Sequence, residues 1–438
     1  MRIVPMGKIF FLTILAYASA SAHVGASMPN LAEIMRPFSG KSEKGVVCDS
    51  LEGKVMCGYQ GWFTTGSDGS PLPWTHWTRD RKIPNEKNCR VEMWPDLSEY
   101  QADERFATDL VLADGRKAEV FSSLHAKTVD RHFSWMKQYG IDGAFVQRFA
   151  ADLRDPRVML TRTTVLAHCR AAAHAHGRAY VVMYDLSGLK KGETSIVRED
   201  WLRLRKEMLI AADSQYLRHR GKPLVAIWGV GFSDDRAYTL EECDALVEFF
   251  RKDGCSIILG VPTWWRQLRG DAVKDPRLLE LVQKADVLSP WTVGRYKDTA
   301  GVDHHSREHL HGDFAWCAEK KIDYLPVVFP GFSWRNMNRD APFNAIPRRG
   351  GAFLWEQCVA AKKQGASMLY FAMFDEVDEG TAIFKCTSDT PDTGQLKFLR
   401  EPSLPSDHYL KVTAAAGKLL RGEILPESTL DAALQGAK

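Results

Sequence analysis

The chain has 438 residues, 45% of them hydrophobic and 26% charged, and its 58 basic and 55 acidic side chains leave a net charge of +3. So apolar and nearly neutral a composition excludes a disordered chain, which needs low hydrophobicity and high net charge. The absence of a Lys/Arg block gives no support to a nucleic-acid partner. The length accommodates either about three ordinary domains or one large α/β barrel with insertions.

Residues 1–22 read as an export signal. Arg2 and Lys8 give a positive start, Ile9 to Tyr17 form a short apolar run, and small residues through Ala22 allow cleavage after Ala20 or Ala22. The run is too short to span a bilayer and no later stretch reaches about 18 apolar residues, so no membrane span is expected. The mature protein is expected to be secreted or periplasmic. Residues 23–50 form a leader, 51–425 the main domain and 426–438 a C-terminal tail. Nine cysteines leave at least one unpaired in a monomer, none forms a C-x-x-C, and their apolar contexts point to buried free thiols.

Strands are expected at Lys54–Gln60, Asp142–Gln147, Ala179–Asp185, Pro223–Gly229, Ser256–Val261, Val287–Trp291, Tyr324–Phe329 and Met368–Phe374. Each is a nearly continuous apolar run, the signature of parallel strands covered on both faces. Helices are expected at Lys127–Tyr139, Thr161–His176, Asp200–Asp213, Leu240–Asp253, Pro276–Lys284, Ser306–Lys320, Gly351–Gln364 and His408–Leu420. Thr239 before Leu240 reads as an N-cap and Gly254 as the stop. Eight strands, each followed by a helix, predict a single (β/α)8 barrel; a doubly wound sheet is the alternative, but no Gly-rich dinucleotide fingerprint occurs. The irregular stretch from Phe63 to about Glu119 follows strand 1, so in a barrel it lies over the C-terminal mouth and walls a cleft.

The chemistry concentrates in Asp375-Glu376-Val377-Asp378-Glu379-Gly380, four carboxylates at the C-terminal end of the last apolar strand. Carboxylates crowded beside a barrel core raise one another's pKa and separate a protonated acid from an ionised base. Glycoside hydrolysis needs such a pair, here Glu376 and Glu379. Other strand ends supply rings and hydrogen-bonding groups suited to sugar faces and hydroxyls: Tyr59, Gln60 and Trp62; Gln147 and Arg148; Tyr184 and Asp185; Trp228; Trp264; Trp291; Trp334. His76 and His125, in and after the long loop, are further cleft candidates, with Asp375 and Asp378 beside the pair.

Glu376-x-x-Glu379-Gly380-Thr381-x-Ile383 resembles the acidic signature of glycoside hydrolase family 99, which contains endo-α-mannosidases and endo-α-mannanases, and of the broader family 71/99-like group. Gly58-Tyr59-Gln60-Gly61-Trp62-Phe63 looks like that family's aromatic first-strand motif, and the segment from Val120 to Gly143 looks like its following helix and second strand. The resemblance runs in order from about Val55 to Phe384. It implies a retaining glycosidase, without a cofactor, acting on an α-linked oligo- or polysaccharide through a 1,2-anhydro sugar, with Glu376 as base on the 2-hydroxyl and Glu379 as acid, then base. The mannan-active pattern has Asn before the first Glu and Trp-His between the pair, where this chain has Asp375, Val377 and Asp378.

Two other readings compete. A carbohydrate-binding barrel without turnover would keep the aromatic cleft but has no need of the glutamate pair. A metal-dependent hydrolase would use Asp303-His304-His305…His309-x-His311, where His305 and His309 have a zinc-compatible spacing but no adjacent Glu or clear third ligand. Arg348-Arg349 before a helix suits either an anionic sugar or a charged loop.

Overall fold

The computed structural model describes residues 30–391 and 393–435; the expected export signal lies outside them. Eight parallel strands form the central sheet: β1 (Val55–Tyr59), β2 (Gly143–Phe149), β3 (Ala179–Asp185), β4 (Lys222–Trp228), β5 (Ser256–Pro262), β6 (Val287–Trp291), β7 (Asp323–Tyr324 and Val327–Val328) and β8 (Leu369–Phe371). Each pairs with the next in sequence, and β8 returns to β1 with Met56 opposite Tyr370. The circle closes through the two halves of β7: Leu288 of β6 faces Tyr324, while Val327 faces Tyr370 of β8. Pro326, which has no N–H to give a ladder, separates the halves, and its carbonyl accepts from the Tyr370 N–H at 3.0 Å. The expected seventh strand is therefore one strand broken at its proline.

Helices follow the strands around the outside: α1 (Ala126–Gln138), α2 (Pro156–His176), α3 (Ser195–Glu207), α4 (Leu240–Lys252), α5 (Arg277–Val282), α6 (Thr299–His305 and His311–Lys320, joined by a π turn over Ser306–Leu310), α7 (Ala352–Lys363) and α8 (His408–Leu420). The capping box at Thr239 and Glu242 starts α4 as its sequence requires. The expected helices at Asp200–Asp213 and Ser306–Lys320 each begin earlier, at Ser195 and Thr299. The architecture is a (β/α)8 barrel.

Alternation along the strands splits the apolar residues into two cores. Met56, Phe145, Val181, Ala226, Ile258, Val327 and Tyr370 point inward and fill the barrel. Val55, Cys57, Val146, Val182, Val225 and Leu259 point outward and pack under the helices. All nine cysteines are free, seven buried and two (Cys48 and Cys386) half-buried.

The long stretch after β1 is more structured than its composition predicts. It contains an antiparallel pair, Phe106–Val111 with Lys117–Val120, and the short strand Trp94–Pro95, which pairs with Cys386–Thr387 beyond the acidic segment. The leader from residue 30 lies against the N-terminal side of β3: Phe38 stacks on His174 at 3.8 Å, and the Val46 N–H donates to Gly177. In the C-terminal tail, Ser428 accepts from the Trp355 indole. Among the described residues no helix is long and apolar enough to cross a membrane.

Candidate active site

The acidic segment leaves β8 at the C-terminal mouth and turns over Val377–Gly380. Backbone donors and side chains from three neighbouring elements fix it there. Asp375, fully buried, accepts from the backbone N–H of Gln60 at 2.7 Å and of Gly61 at 2.9 Å, clasping the end of β1. Gly61 serves this clasp with a left-handed backbone (φ +57°), where a Cβ would also meet Val165 at 2.7 Å. From the long loop, the Glu92 and Met93 N–H groups donate to the Val377 carbonyl. Arg348 reaches under the turn and donates to the Gly380 and Ala382 carbonyls at 2.8 and 2.9 Å, so it serves the fold. Arg349 pairs with Glu356.

The two glutamates are held differently. Glu376 is buried, and its two carboxyl oxygens accept from the Gln60 amide at 2.6 Å and the Thr381 hydroxyl at 2.7 Å. The Glu379 carboxyl is partly open to the mouth and accepts from no described residue, while its backbone carbonyl is fixed by the Ser333 N–H at 2.9 Å. Burial, reinforced by the charges of Glu379 and Asp378, pushes the Glu376 carboxyl well above the ordinary carboxylate range. Burial, and then the charge of Asp378, pushes Glu379 up to about 7 against the opposing pull of Arg90. Burial also raises Asp375 to about 7. Burial first, and then like charges without enough cations, leaves protons in this turn near neutral pH.

Asp378 is fully buried between the glutamates and meets Arg90 at 3.2 Å and His76 Nδ1 at 3.3 Å. The His76 ring stacks flat on Trp62, 3.7 Å between centroids, and Phe149 lies 5.4 Å from the same indole. Below Glu376, Gln147 faces inward and donates to the Tyr370 hydroxyl at 3.0 Å. Across the mouth, Asp185 is buried, raised by burial to about 6, and accepts from the Ser187 N–H. Trp228 and Trp291 meet edge to face at 5.4 Å. Gly260 makes room for them, since a Cβ there would lie 2.5 Å from the Trp228 ring.

Beyond this wall a cavity of about 610 Å³ is lined by residues including Trp264, Trp334, Tyr296, His304, His305 and His309. Ser333, between Phe332 and Trp334 of its wall, is the residue that binds the Glu379 carbonyl. His305 and His309, brought side by side by the π turn, have ring centroids 5.3 Å apart. Burial holds both well below the usual histidine range, to about 3 and about 4. Among the described residues, no three His, Cys, Asp or Glu side chains converge to hold a metal ion.

Four of the residues singled out in the sequence lie elsewhere. Tyr59, Arg148 and Tyr184 sit at outward positions of their strands. Tyr59 donates or accepts at His132 (2.9 Å), while Arg148 and Tyr184 both bind Asp200 of α3, at 2.6 and 2.8 Å. Alternation decides this: Gln147 points in, so Arg148 points out. His125 sits at the N-terminus of α1, its buried Nδ1 without a partner among the described residues. Conversely, sequence reading missed Arg90, Thr381 and Glu92. Thr381 was within the quoted motif, but Arg90 and Glu92 come from a loop whose path no local pattern encodes. Glu92, raised by burial to about 7, accepts from the Ser333 hydroxyl at 2.6 Å and from the Asn336 N–H.

Fold and site together define a (β/α)8 barrel with a buried carboxyl pair on the turn after its last strand. No protein-family model and no curated relative matches the sequence. Among solved structures, the barrel is similar to the family 99 endo-α-mannosidase of Bacteroides thetaiotaomicron. In its complex with Bis-Tris propane that enzyme is 17% identical, with a TM-score of 0.60, covering 85% of this chain and 99% of the mannosidase. A second structure of that enzyme gives 16% identity over the same shares. A glycoside hydrolase-like protein matches at 13% identity and a TM-score of 0.50, covering 86% of this chain and 97% of its own. The likeness spans the barrel and shows a common fold.

Proposed function

We propose that this protein is an exported glycoside hydrolase that cleaves an α-linked oligo- or polysaccharide with retention, using Glu376 and Glu379. The observation that carries the reading is the unequal treatment of two glutamates on one turn. The Gln60 and Thr381 donors oppose the burial that raises Glu376, whereas Glu379 has no donor; the charge of Asp378 raises both. Glu379, the less buried residue of the two and the one whose carboxyl has no donor, is the member placed to deliver a proton to a leaving group.

In the first step Glu376 takes the proton of the sugar 2-hydroxyl as that oxygen attacks C1. The C1–oxygen bond to the leaving group breaks, and Glu379 delivers its proton there. In the second step Glu379 takes a proton from water attacking C1. The C1–O2 bond opens, and O2 recovers its proton from Glu376. Two inversions at C1 give net retention, with no covalent bond to the enzyme. The α linkage and the anhydro sugar rest on the motif resemblance, and the likeness to an endo-α-mannosidase supports a glycan substrate. The proposal of export rests on residues 1–22 and is checked by N-terminal sequencing of the mature protein.

The test is digestion of a glycan panel by wild type, Glu376→Gln and Glu379→Gln, reading released sugars by mass spectrometry. Products from wild type alone are expected; near-wild-type release by either variant overturns the mechanism. Glycan binding by all three with no release from any of them identifies a binding barrel instead.

A further inference from the structure

We propose that His76 is a substrate-contacting residue: Asp378 holds its ring with the proton on Nδ1, so that Nε2 offers a lone pair to the cleft and accepts a hydrogen bond from a sugar hydroxyl. The inference rests on the glycosidase reading and assigns one of its hydroxyl contacts.

Three independent features hold this ring in place. Its backbone is left-handed (φ 63°), a conformation that a non-glycine residue keeps only where surroundings enforce it. One face is covered by Trp62 at 3.7 Å with the planes 7° apart. One edge is fixed by Asp378 at 3.3 Å, a carboxylate that is itself fixed by Arg90. A fifth of the side chain remains exposed (20%), and Nε2 has no partner among the described residues. With Trp62 on one face, Phe63 edge-on at 6.1 Å and Asp378 at Nδ1, Nε2 is the free edge of the ring.

Which nitrogen carries the proton follows from the partner. Asp378 accepts, so Nδ1 donates, and the neutral ring is left with an acceptor at Nε2. Burial keeps the ring from taking a second proton; the nearby Arg90 and Arg162 guanidiniums act in the same direction, while Asp378 opposes. The surrounding mouth is rich in carboxyls, which also accept from hydroxyls. His76 differs in being an acceptor that adds no negative charge to a turn already crowded with it. Asp378, lying between Glu376 and Glu379, ties the orientation of this acceptor to the reacting pair.

The first measurement is long-range ¹H–¹⁵N NMR of histidine-labelled protein, with the His76 signals assigned by their absence in His76→Phe. A neutral ring with a proton on Nδ1 is expected at neutral pH; a proton on Nε2 overturns the proposal whether or not the protein is a glycosidase. The second uses the glycan that wild type cleaves. His76→Phe keeps the stack on Trp62 and lowers kcat/KM by about tenfold to a hundredfold, the loss of one buried hydroxyl contact. Should Phe disturb the left-handed backbone, His76→Asn, which tolerates it, replaces that variant. Among monodeoxy forms of the glycan, one is expected to be cleaved equally by wild type and variant. A uniform loss across all of them marks a structural role and overturns the contact.

Discussion

Two groups of buried charge sit close together across one sheet, and they have opposite fates. Behind the sheet, Arg148 and Asp200 form a bidentate pair at 2.6 Å, joined by Tyr184, Thr163 and Arg203. Burial pushes Asp200 up, but the Arg148 and Arg203 guanidiniums and the Tyr184 hydroxyl outweigh it and hold the carboxyl below its ordinary value. At the mouth, Asp375, Glu376, Asp378 and Glu379 are as well buried or nearly so, yet Arg90 is the guanidinium that meets them, and Glu376 and Glu379 are raised. Burial alone does not prepare a carboxyl for proton transfer. The supply of counter-charge decides whether it becomes a structural anion or a group that still holds a proton near neutrality.

The contrast is broken most completely at the mouth itself. Glu376→Gln and Glu379→Gln are each expected to lower turnover by about 10²–10⁴-fold, the usual worth of a positioned acid or base, with the far-ultraviolet circular dichroism unchanged. Behind the sheet the loss is of stability instead. Arg148→Met strands Asp200 and is expected to cost about 3–5 kcal/mol in urea unfolding. The protein that remains folded should turn over glycan at the wild-type rate; a fall in that rate would place Arg148 in the chemistry after all.

Acidity sharpens the same contrast. With Glu379 raised to about 7, the acid is lost as pH rises through that value, so kcat/KM should fall about tenfold per pH unit on the alkaline side. A flat alkaline limb would remove Glu379 as the acid. Stability should respond with opposite signs in the two places. Asp200, depressed when folded, contributes stability above its unfolded pKa that is lost as pH falls through its folded one. Glu379, raised when folded, makes folding less favourable as pH climbs from its unfolded value towards 7. The smallest effect follows: Glu379→Gln should melt slightly above wild type in mildly alkaline buffer, as removal of an uncompensated charge requires. Melting curves at acidic and alkaline pH check both signs.

Much of the barrel was legible because parallel strands covered on both faces must be apolar throughout, and Ala179–Asp185 and Val287–Trp291 coincide with the expectation to the residue. Pro326 shows how one residue overrides that signal by withholding a ladder donor. In Phe106–Val111 burial alternates residue by residue, but Ala107 and Val111 are exposed and Thr108 is buried, so the sequence itself carries no period of two. The acidic turn was legible for a different reason: four carboxyls abutting a core strand conflict with burial unless they have a task. Pairs such as Arg90 with Asp378 were not legible, since they depend on how a long loop returns over the mouth. Adjacent residues of one strand, Gln147 and Arg148, needed the phase of the alternation before their roles could be told apart.

The free thiols have a consequence for anyone handling the protein. Burial pushes Cys89, Cys243 and Cys255 up to about 12, and Cys57, Cys169, Cys317 and Cys358 also well up, so alkylating reagents meet almost no thiolate while the barrel stays shut. Reaction at each one requires a local opening, and Cys57 lies on β1 and Cys169 on α2, while Cys317 lies on α6 and Cys358 on α7. Labelling rates, read site by site, therefore clock the breathing of successive sectors of the ring without a single engineered probe.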